Sequence, residues 1–506
     1  MQLAKSLSVS LYGLAGRLIE IETDISSNLP AFVLVGLPDA SVSESASRVR
    51  AACTNSKLQL PGRKITVNLS PASVPKHGSG FDLAIAVSVL AAAGLIPKAH
   101  LDSSVFLGEL ALDGSIKPVP GVLAATIVAK RNLIRNMIVP EANSHEASLI
   151  TGIEARGFSH LSQVVSHFGG KVDVVSGSAS TRPPASEASK PGCFSEVLGQ
   201  DEAIQSLIIA AVGGHHLQML GPPGAGKTML ASRFSAILPD LTESQAIELA
   251  TVQSVTGLEL QRLPTVVPFQ APHHTASRVS IIGGGGASPK PGLISLAHNG
   301  VLFLDEAPEF QSDVLESLRQ PLESGLITVS RASGHAVFPA RFQLLVAANP
   351  CPCGFAIGTA KNCTCTQVAK SRYLNRISGP LADRIDIRLQ LNQVNAKLAT
   401  SMERSSVTSA FAKQEVQTAR ARTAKRLEGT PWSLNAQVPG SFLRRELRLA
   451  KSVTTKLDQA LESGYLSMRG YDRCLRIAWS IADHIGLDAP TQNEVARAVY
   501  LRGAGN

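Results

Sequence analysis

The sequence predicts an α/β protein with a helical C-terminal part, and three observations carry that expectation. A loop rich in Gly and Pro, Gly221-Pro-Pro-Gly-Ala-Gly-Lys227-Thr228, lies between a short apolar strand and a helix. A second apolar strand, Val301-Leu-Phe-Leu, runs directly into two carboxylates, Asp305 and Glu306. From residue 394 to 506 the apolar residues recur with the 3.6-residue period of helices, nearly free of strand patterns.

In chain order, residues 1–175 form a first domain. Strands are expected at 65–69 and 104–107, and apolar helices at 83–93 and 121–130, so this domain is itself α/β. A stretch rich in Ser, Ala and Pro, 176–193, with Pro183 and Pro184 in its middle, reads as a flexible linker. The nucleotide-binding core follows at 194–393 and the helical domain at 394–506. The longest apolar run, 83–96, stops at Pro97, too short to span a bilayer, and residues 1–13 are too mixed for a secretion signal. The expectation is a cytoplasmic protein with no membrane partner.

Net charge is +9, which leans toward an anionic partner, but aromatics are only 4%, so contact with a nucleic acid would run through its backbone rather than through stacked bases. Seven cysteines, four of them packed between 351 and 365, suit a metal site plus three ordinary thiols better than a secreted disulfide framework.

The loop beginning at Gly221 fits the phosphate-binding pattern G-x-x-x-x-G-K-[ST] throughout. Gly221, Pro222, Pro223, Gly224, Ala225 and Gly226 turn successive backbone N–H groups toward the β-phosphate of ATP. Lys227 reaches the β and γ oxygens, and the Thr228 hydroxyl ligands Mg²⁺. The helix after the loop, 229–238, presents its N-terminus to the phosphates. Asp305 holds the Mg²⁺ through water and Glu306 polarises the attacking water, although a solvated strand-end turn would also explain Asp305 alone. Cys351-x-Cys353 and Cys363-x-Cys365 form two pairs that could close a tetrahedral Zn²⁺ site, or stand as four reduced thiols in a loop. His273 and His274 are read as polar loop residues, because neighbours on a strand point apart.

Several motifs in one order carry a family resemblance. They are Gly36-Leu-Pro-Asp-Ala40, Lys76-His-Gly-Ser-Gly-Phe-Asp82, the phosphate loop, Pro272-His-His274, Asn349-Pro-Cys-Pro-Cys-Gly354, Ser378-Gly-Pro-Leu-Ala-Asp-Arg384-Ile-Asp386 and Leu466-Ser-Met-Arg469-Gly470. With them the chain resembles the magnesium-chelatase-like AAA+ ATPases of the ComM/YifB family over nearly its whole length. The resemblance implies a homo-oligomeric, hexameric ring motor with a C-terminal helical lid. It also implies a helicase that engages single-stranded and branched DNA and moves branch points during homologous recombination and natural transformation. A protein-remodelling or metal-chelatase motor is the rival, since the ATP site suits either.

By the same resemblance Asn349, at the end of the strand 344–348, is a sensor that orients the attacking water, with an Asn-Pro turn as the plainer account. Arg384 is an arginine finger, or else a salt-bridge partner of Asp383 or Asp386. Arg469 reports the γ-phosphate from the lid, or is a solvated helix-end arginine. Two inserted segments are candidates for DNA contact in a ring's pore: 279–292, with four consecutive glycines at 283–286 and Lys290, and the hairpin 327–338, with Arg331 and His335 near its tip. Residues 396–451 hold 11 Lys/Arg against four Asp/Glu. Arg420, Arg422, Lys425 and Arg426 there read as a solvated face or a phosphate-tracking stripe.

The N-terminal domain resembles the Lon-protease-like fold of the ribosomal S5 domain 2-like class. Its Ser/Lys dyad is missing: a Gly or Phe falls near the nucleophile position and Leu123 stands for the lysine, with Ser79 and Lys117 displaced. An inactive relative serving oligomerisation or DNA binding is therefore expected, and an ATP-dependent protease is not.

Overall fold

The computed structural model describes residues 2–175, 192–286, 288–331, 334–356, 363–377, 381–392 and 407–503. Most of the expected linker, the Ser378-Gly-Pro segment and residues 394–406 lie outside them.

The N-terminal domain is a seven-stranded sheet in the order β3-β4-β2-β1-β5-β8-β9. Its first two strands, β1 (Gln2–Tyr12) and β2 (Ala15–Ser26), pair antiparallel along their whole length around a turn at Gly13-Leu14. Gly13 adopts φ 64°, where a Cβ is disfavoured. The strands β3 (Ala31–Val35), β4 (Lys64–Ser70) and β5 (Ser104–Phe106) follow, then a small hairpin of β6 (Glu109–Leu110) and β7 (Ile116–Lys117), then β8 (Asn136–Pro140) and β9 (Glu154–Phe158). Helix Asp82–Ala92 is buried along its full length, as its continuous apolar sequence demands.

Two of the N-terminal motifs interlock. The fully buried Lys76 donates from Nζ to the Gly36 and Pro71 carbonyls, and Asp39 accepts from the Gly78 N–H at 3.2 Å. The Ser79 hydroxyl donates to the Glu109 carboxylate.

The core is a five-stranded parallel sheet in the order β11-β14-β17-β10-β18. Its strands are β10 (Leu217–Leu220), β11 (Phe269–Gln270), β14 (Gly300–Leu304), β17 (Phe342–Ala348) and β18 (Ile387–Gln390). All five residues of β14 are buried, the pattern of a strand covered on both faces. Two hairpins are inserted: β12 (Gly283–Gly284) with β13 (Lys290–Pro291), and β15 (Leu326–Arg331) with β16 (Gly334–Pro339). Past residue 407 the described residues contain helices and no strand, the longest being Ser409–Arg426 and Met468–Ile485. Cys474, Leu475, Ile477, Ala478 and Ile481 of the latter join one apolar cluster with Leu207, Ile208, Leu217 and Ile387 of the core.

This packing corrects the expectation for the basic cluster. Arg420 donates to the Ala211 carbonyl at 2.9 and 2.6 Å, and Arg422 to the Asp483 carbonyl at 2.7 Å. Arg426 grips the Asp483 carboxylate and Asn435, with its guanidinium 4.3 Å over the Trp479 ring. Ala211 and Asp483 lie in the last turns of helices Asp201–Gly213 and Met468–Ile485, whose free carbonyls attract cations. Three of the four basic residues thus fasten helix ends together; Lys425 alone is left as a solvated cation.

The N-terminal domain rests on the core at two places. Around its β1–β2 turn, a Cβ on Gly13 would fall 2.9 Å from Ala336 Cβ, so the turn sits hard against the β15–β16 hairpin. Helix Val122–Arg131 meets helix Glu243–Thr256 through Leu123, Ile150, Ala250 and Leu260, and the Gly121 N–H donates to the Ser254 carbonyl at 2.9 Å.

Candidate active site

Strand β10 ends at Leu220 and the phosphate loop begins at the next residue. Gly221 is wedged between strands: its N–H donates to the Ala348 carbonyl at 3.2 Å, and a Cβ would meet the Leu391 carbonyl at 2.8 Å. Gly224 (φ 77°) and Gly226 (φ 83°) take left-handed conformations that bend the loop onto helix Lys227–Phe234. That helix starts at Lys227, two residues before the expected start, so its first turn includes the lysine and Thr228.

Five of the expected site residues, Lys227, Thr228, Asp305, Glu306 and Asn349, follow the C-terminal ends of three adjacent parallel strands, β10, β14 and β17. Lys227 Nζ donates to the Gly221 and Pro222 carbonyls at 2.7 and 3.0 Å and to Asn349 Oδ1 at 3.0 Å. Burial lowers the Lys227 pKa, against the pull of Asp305 and Glu306. Thr228 Oγ1 donates to Asp305 Oδ2 at 2.6 Å, so the two groups expected to share Mg²⁺ are already in contact. Asp305 Oδ1 accepts from the Glu306 N–H at 2.9 Å, and Glu306, at φ 48°, turns a half-exposed carboxylate outward. A cavity of about 490 Å³ lies along β10 and β18, reaching Leu220, the residue before the loop. Its wall includes Gln200, whose amide donates to the Ala225 and Asn392 carbonyls.

The histidine pair lies in a loop, as expected, but its rings do not point apart. Strand β11 ends at Gln270, so strand alternation does not extend to His273 and His274, and their rings lie 4.1 Å apart instead of pointing away from each other. His274 Nδ1 comes within 3.6 Å of Glu306 Oε2. The motif Pro272-His-His274 was visible in the sequence; what hid its approach to Glu306 is that β11 and β14 are neighbours only in the sheet. His274→Ala is expected to leave ATP affinity near wild type and lower the hydrolysis rate about five- to tenfold, the scale of one polar contact near 1 kcal/mol. Equal turnover in variant and parent would make the contact incidental.

Arg384 and Arg469 are brought together, but not at the phosphate loop. Both line a cavity of about 290 Å³ with Glu323, Asp383 and Arg473. Arg384 pairs with Glu323, a partner the sequence did not suggest. The alternative of a bridge to Asp386 gives way to other partners, since buried Asp386 is held by Arg473 and by His215 Nδ1 at 3.2 Å. The Asp386 and Ile387 N–H groups donate to the His216 carbonyl, one residue before β10 begins. The arginine cluster therefore sits at the N-terminal edge of the strands whose C-terminal edge carries the phosphate loop.

The four cysteines do meet. The Sγ atoms of Cys351, Cys353, Cys363 and Cys365 all lie within 4.8 Å of one another. Burial raises the Cys351 thiol to about 11, while backbone N–H donation from Phe355 lowers Cys353 to about 6. The two inserted segments also meet: Arg331 Nε donates to the Gly285 carbonyl at 3.1 Å, folding the arginine onto the glycine hairpin. Lys290 on β13 and His335 on β16 are exposed beside this junction.

Models of the magnesium chelatase subunit ChlI match residues 193–399, those of the same subunit's further region 21–143, and those of its C-terminal part 406–502. An uncharacterized protein of Mycobacterium tuberculosis is 43% identical over 507 residues, covering 100% of this chain and 99% of its own. Competence protein ComM of Haemophilus influenzae is 40% identical over 99% of this chain and 98% of its own. YifB of Escherichia coli, also described as uncharacterized, is 40% identical over 96% and 94%.

Proposed function

On the premise that this chain belongs to the magnesium-chelatase-like AAA+ family of ComM and YifB, we propose that it is an ATP-driven, ring-forming DNA motor that moves branch points during recombination. One observation supports the motor reading: the phosphate-loop residues and the Arg384–Arg469 cluster lie at opposite ends of the strands of one sheet. Lys227, Thr228, Asp305, Glu306 and Asn349 form the ATP and Mg²⁺ half, with the cavity at Gln200 suited to the adenosine. Arg384 and Arg469 form the other half. The strand between them, at about 3.3 Å per residue over four residues, holds them more than 10 Å apart. A second copy docked against those strand ends would bring Arg384 and Arg469 to its neighbour's γ-phosphate, and both are assigned that role. A hexamer is the ring expected for such a unit.

The residues from 407 on act as the lid that carries Arg469. The N-terminal domain is a Lon-protease-like fold without protease activity, since the Ser79 hydroxyl is engaged by a carboxylate rather than by a lysine. It serves assembly or DNA binding. No helix among the described residues is long and apolar enough to cross a membrane. The four cysteines hold a structural Zn²⁺.

DNA is favoured over a protein or metal substrate by the full-length similarity to a competence protein, by the net charge of +9, and by the junction of Lys290, Arg331 and His335. ATPase rates measured with and without single-stranded DNA, branched DNA and unfolded protein test the choice. Stimulation by DNA alone supports it, and stimulation by unfolded protein alone overturns it. Arg331→Ala is expected to keep basal hydrolysis, lose most of the DNA-stimulated rate, and flatten the salt dependence of DNA binding by a slope of about one. An unchanged slope would remove Arg331 from the DNA path.

A further inference from the structure

The turn that follows Asn349 joins the cysteine cluster to the phosphate loop. Cys351-Pro-Cys353-Gly354 is closed by the Gly354 N–H donating to the Cys351 carbonyl at 2.9 Å, with Gly354 at φ 84°. This closure leaves Cys351 and Cys353 Sγ 3.3 Å apart. Cys363 Sγ then lies 3.8 and 3.7 Å from them. In a tetrahedron with Zn–S bonds of 2.3 Å the sulfurs stand about 3.8 Å apart, so these spacings suit one ion on four thiolates. Sulfurs all within 4.8 Å leave no room for a cluster of several metal atoms. Four protein ligands leave no open position, so the ion would shape the fold rather than touch substrate.

The outer surface of the same turn rests on the nucleotide site. A Cβ on Gly354 would fall 2.6 and 2.7 Å from Cδ and Cγ of Pro223. Only a glycine lets the turn approach this closely. Upstream of the turn, Asn349 takes the Lys227 ammonium. Downstream of the second cysteine pair, Thr366 caps helix Gln367–Asn375, whose Tyr373 is buried near Glu306 and Glu309. The cluster is thus the fixed point from which three segments lean on the phosphate loop and its catalytic carboxylate.

We propose that Cys351, Cys353, Cys363 and Cys365 bind one Zn²⁺ that braces the Gly354 turn against Pro223, so that metal occupancy sets nucleotide affinity. The inference rests on the loop at Gly221 being the ATP site. Without the ion the turn loses its second anchor, because Cys363 and Cys365 are then tied to Cys351 and Cys353 by thiol contacts alone. The brace relaxes, and with it the positions of Pro223 and Asn349.

The test uses full-length protein purified without chelators. Metal analysis should find about one zinc per chain. Replacement by Co²⁺ should give the ligand-field bands of tetrahedral thiolate coordination. Absence of metal, or iron in its place, overturns the assignment. Equilibrium binding of a fluorescent ATP analogue reads the coupling. Cys363→Ser should lose the zinc and bind the analogue roughly tenfold more weakly. Gly354→Ala should show a similar loss through the clash of its Cβ with Pro223, and a zinc content and cobalt spectrum like the parent's would show that the turn keeps its shape despite the strain an Ala meets at φ 84°. Wild-type affinity in both variants, with circular dichroism unchanged, overturns the brace. Lys227→Ala separates the two readings: if it binds the analogue as well as the parent, the ATP site itself is misplaced, whatever the metal does.

Discussion

Chains carrying Arg384→Ala and chains carrying Lys227→Ala, each inactive alone, are expected to hydrolyse ATP when mixed. Lys227 is buried in its own loop, held by the Gly221 and Pro222 carbonyls and Asn349, and its loss should abolish ATP binding in that subunit. Arg384 lies with Arg469 and Arg473 at the opposite strand edge, so its loss should spare binding and cut hydrolysis by a factor of order 10³–10⁵. In a mixed assembly an intact loop of the Arg384→Ala chain can meet an intact arginine of the Lys227→Ala chain. A cis role forbids such recovery, because every site would keep one broken half. No activity in mixed assemblies, with subunit exchange verified, would leave Arg384 as the structural partner of Glu323.

Replacing Glu306 by Gln should separate binding from chemistry within one subunit. The substitution keeps size and shape and leaves Thr228, Asp305 and Lys227 in their contacts, so ATP and Mg²⁺ should bind as in the parent. Removing the base that polarises water should slow hydrolysis by roughly 10²–10⁴. The outcome to look for is ATP retained on the protein over the time in which the parent turns it over. Turnover within a few-fold of the parent would show that another group positions the water. His274, at 3.6 Å, would be the first to examine.

Local sequence carried much of this site. The phosphate loop, the Asp305-Glu306 strand end and Asn349 are each defined by residues adjacent in the chain, and parallel pairing of β14, β17 and β10 then brings them together. The two cysteine pairs were legible for the same reason, because spacing limits where a short loop can put its thiols. Contacts between distant segments were not legible. Whether Arg384 would find Asp383, Asp386 or Glu323 depended on a helix end 61 residues away, and Arg420 could look like a solvated cation until Ala211 was seen beside it. The histidine pair was placed correctly in a loop, but its ring contact was missed because a rule for strands was applied to a segment that β11 does not reach.

If Arg384 and Arg469 complete a neighbour's ATP site, as proposed, their place at the strand ends opposite the phosphate loop has an arithmetic consequence for assembly. A row of n copies joined edge to edge contains n − 1 finished hydrolysis sites, with an unserved loop at one end and an idle arginine cluster at the other. Closing the row into a circle finishes the last site without any new kind of contact. Opening the circle anywhere, as a strand of DNA without free ends would require for entry, silences a single site and leaves the others intact. The catalytic count of such a machine reports its topology directly, one ATPase unit being the difference between an open arc and a closed ring.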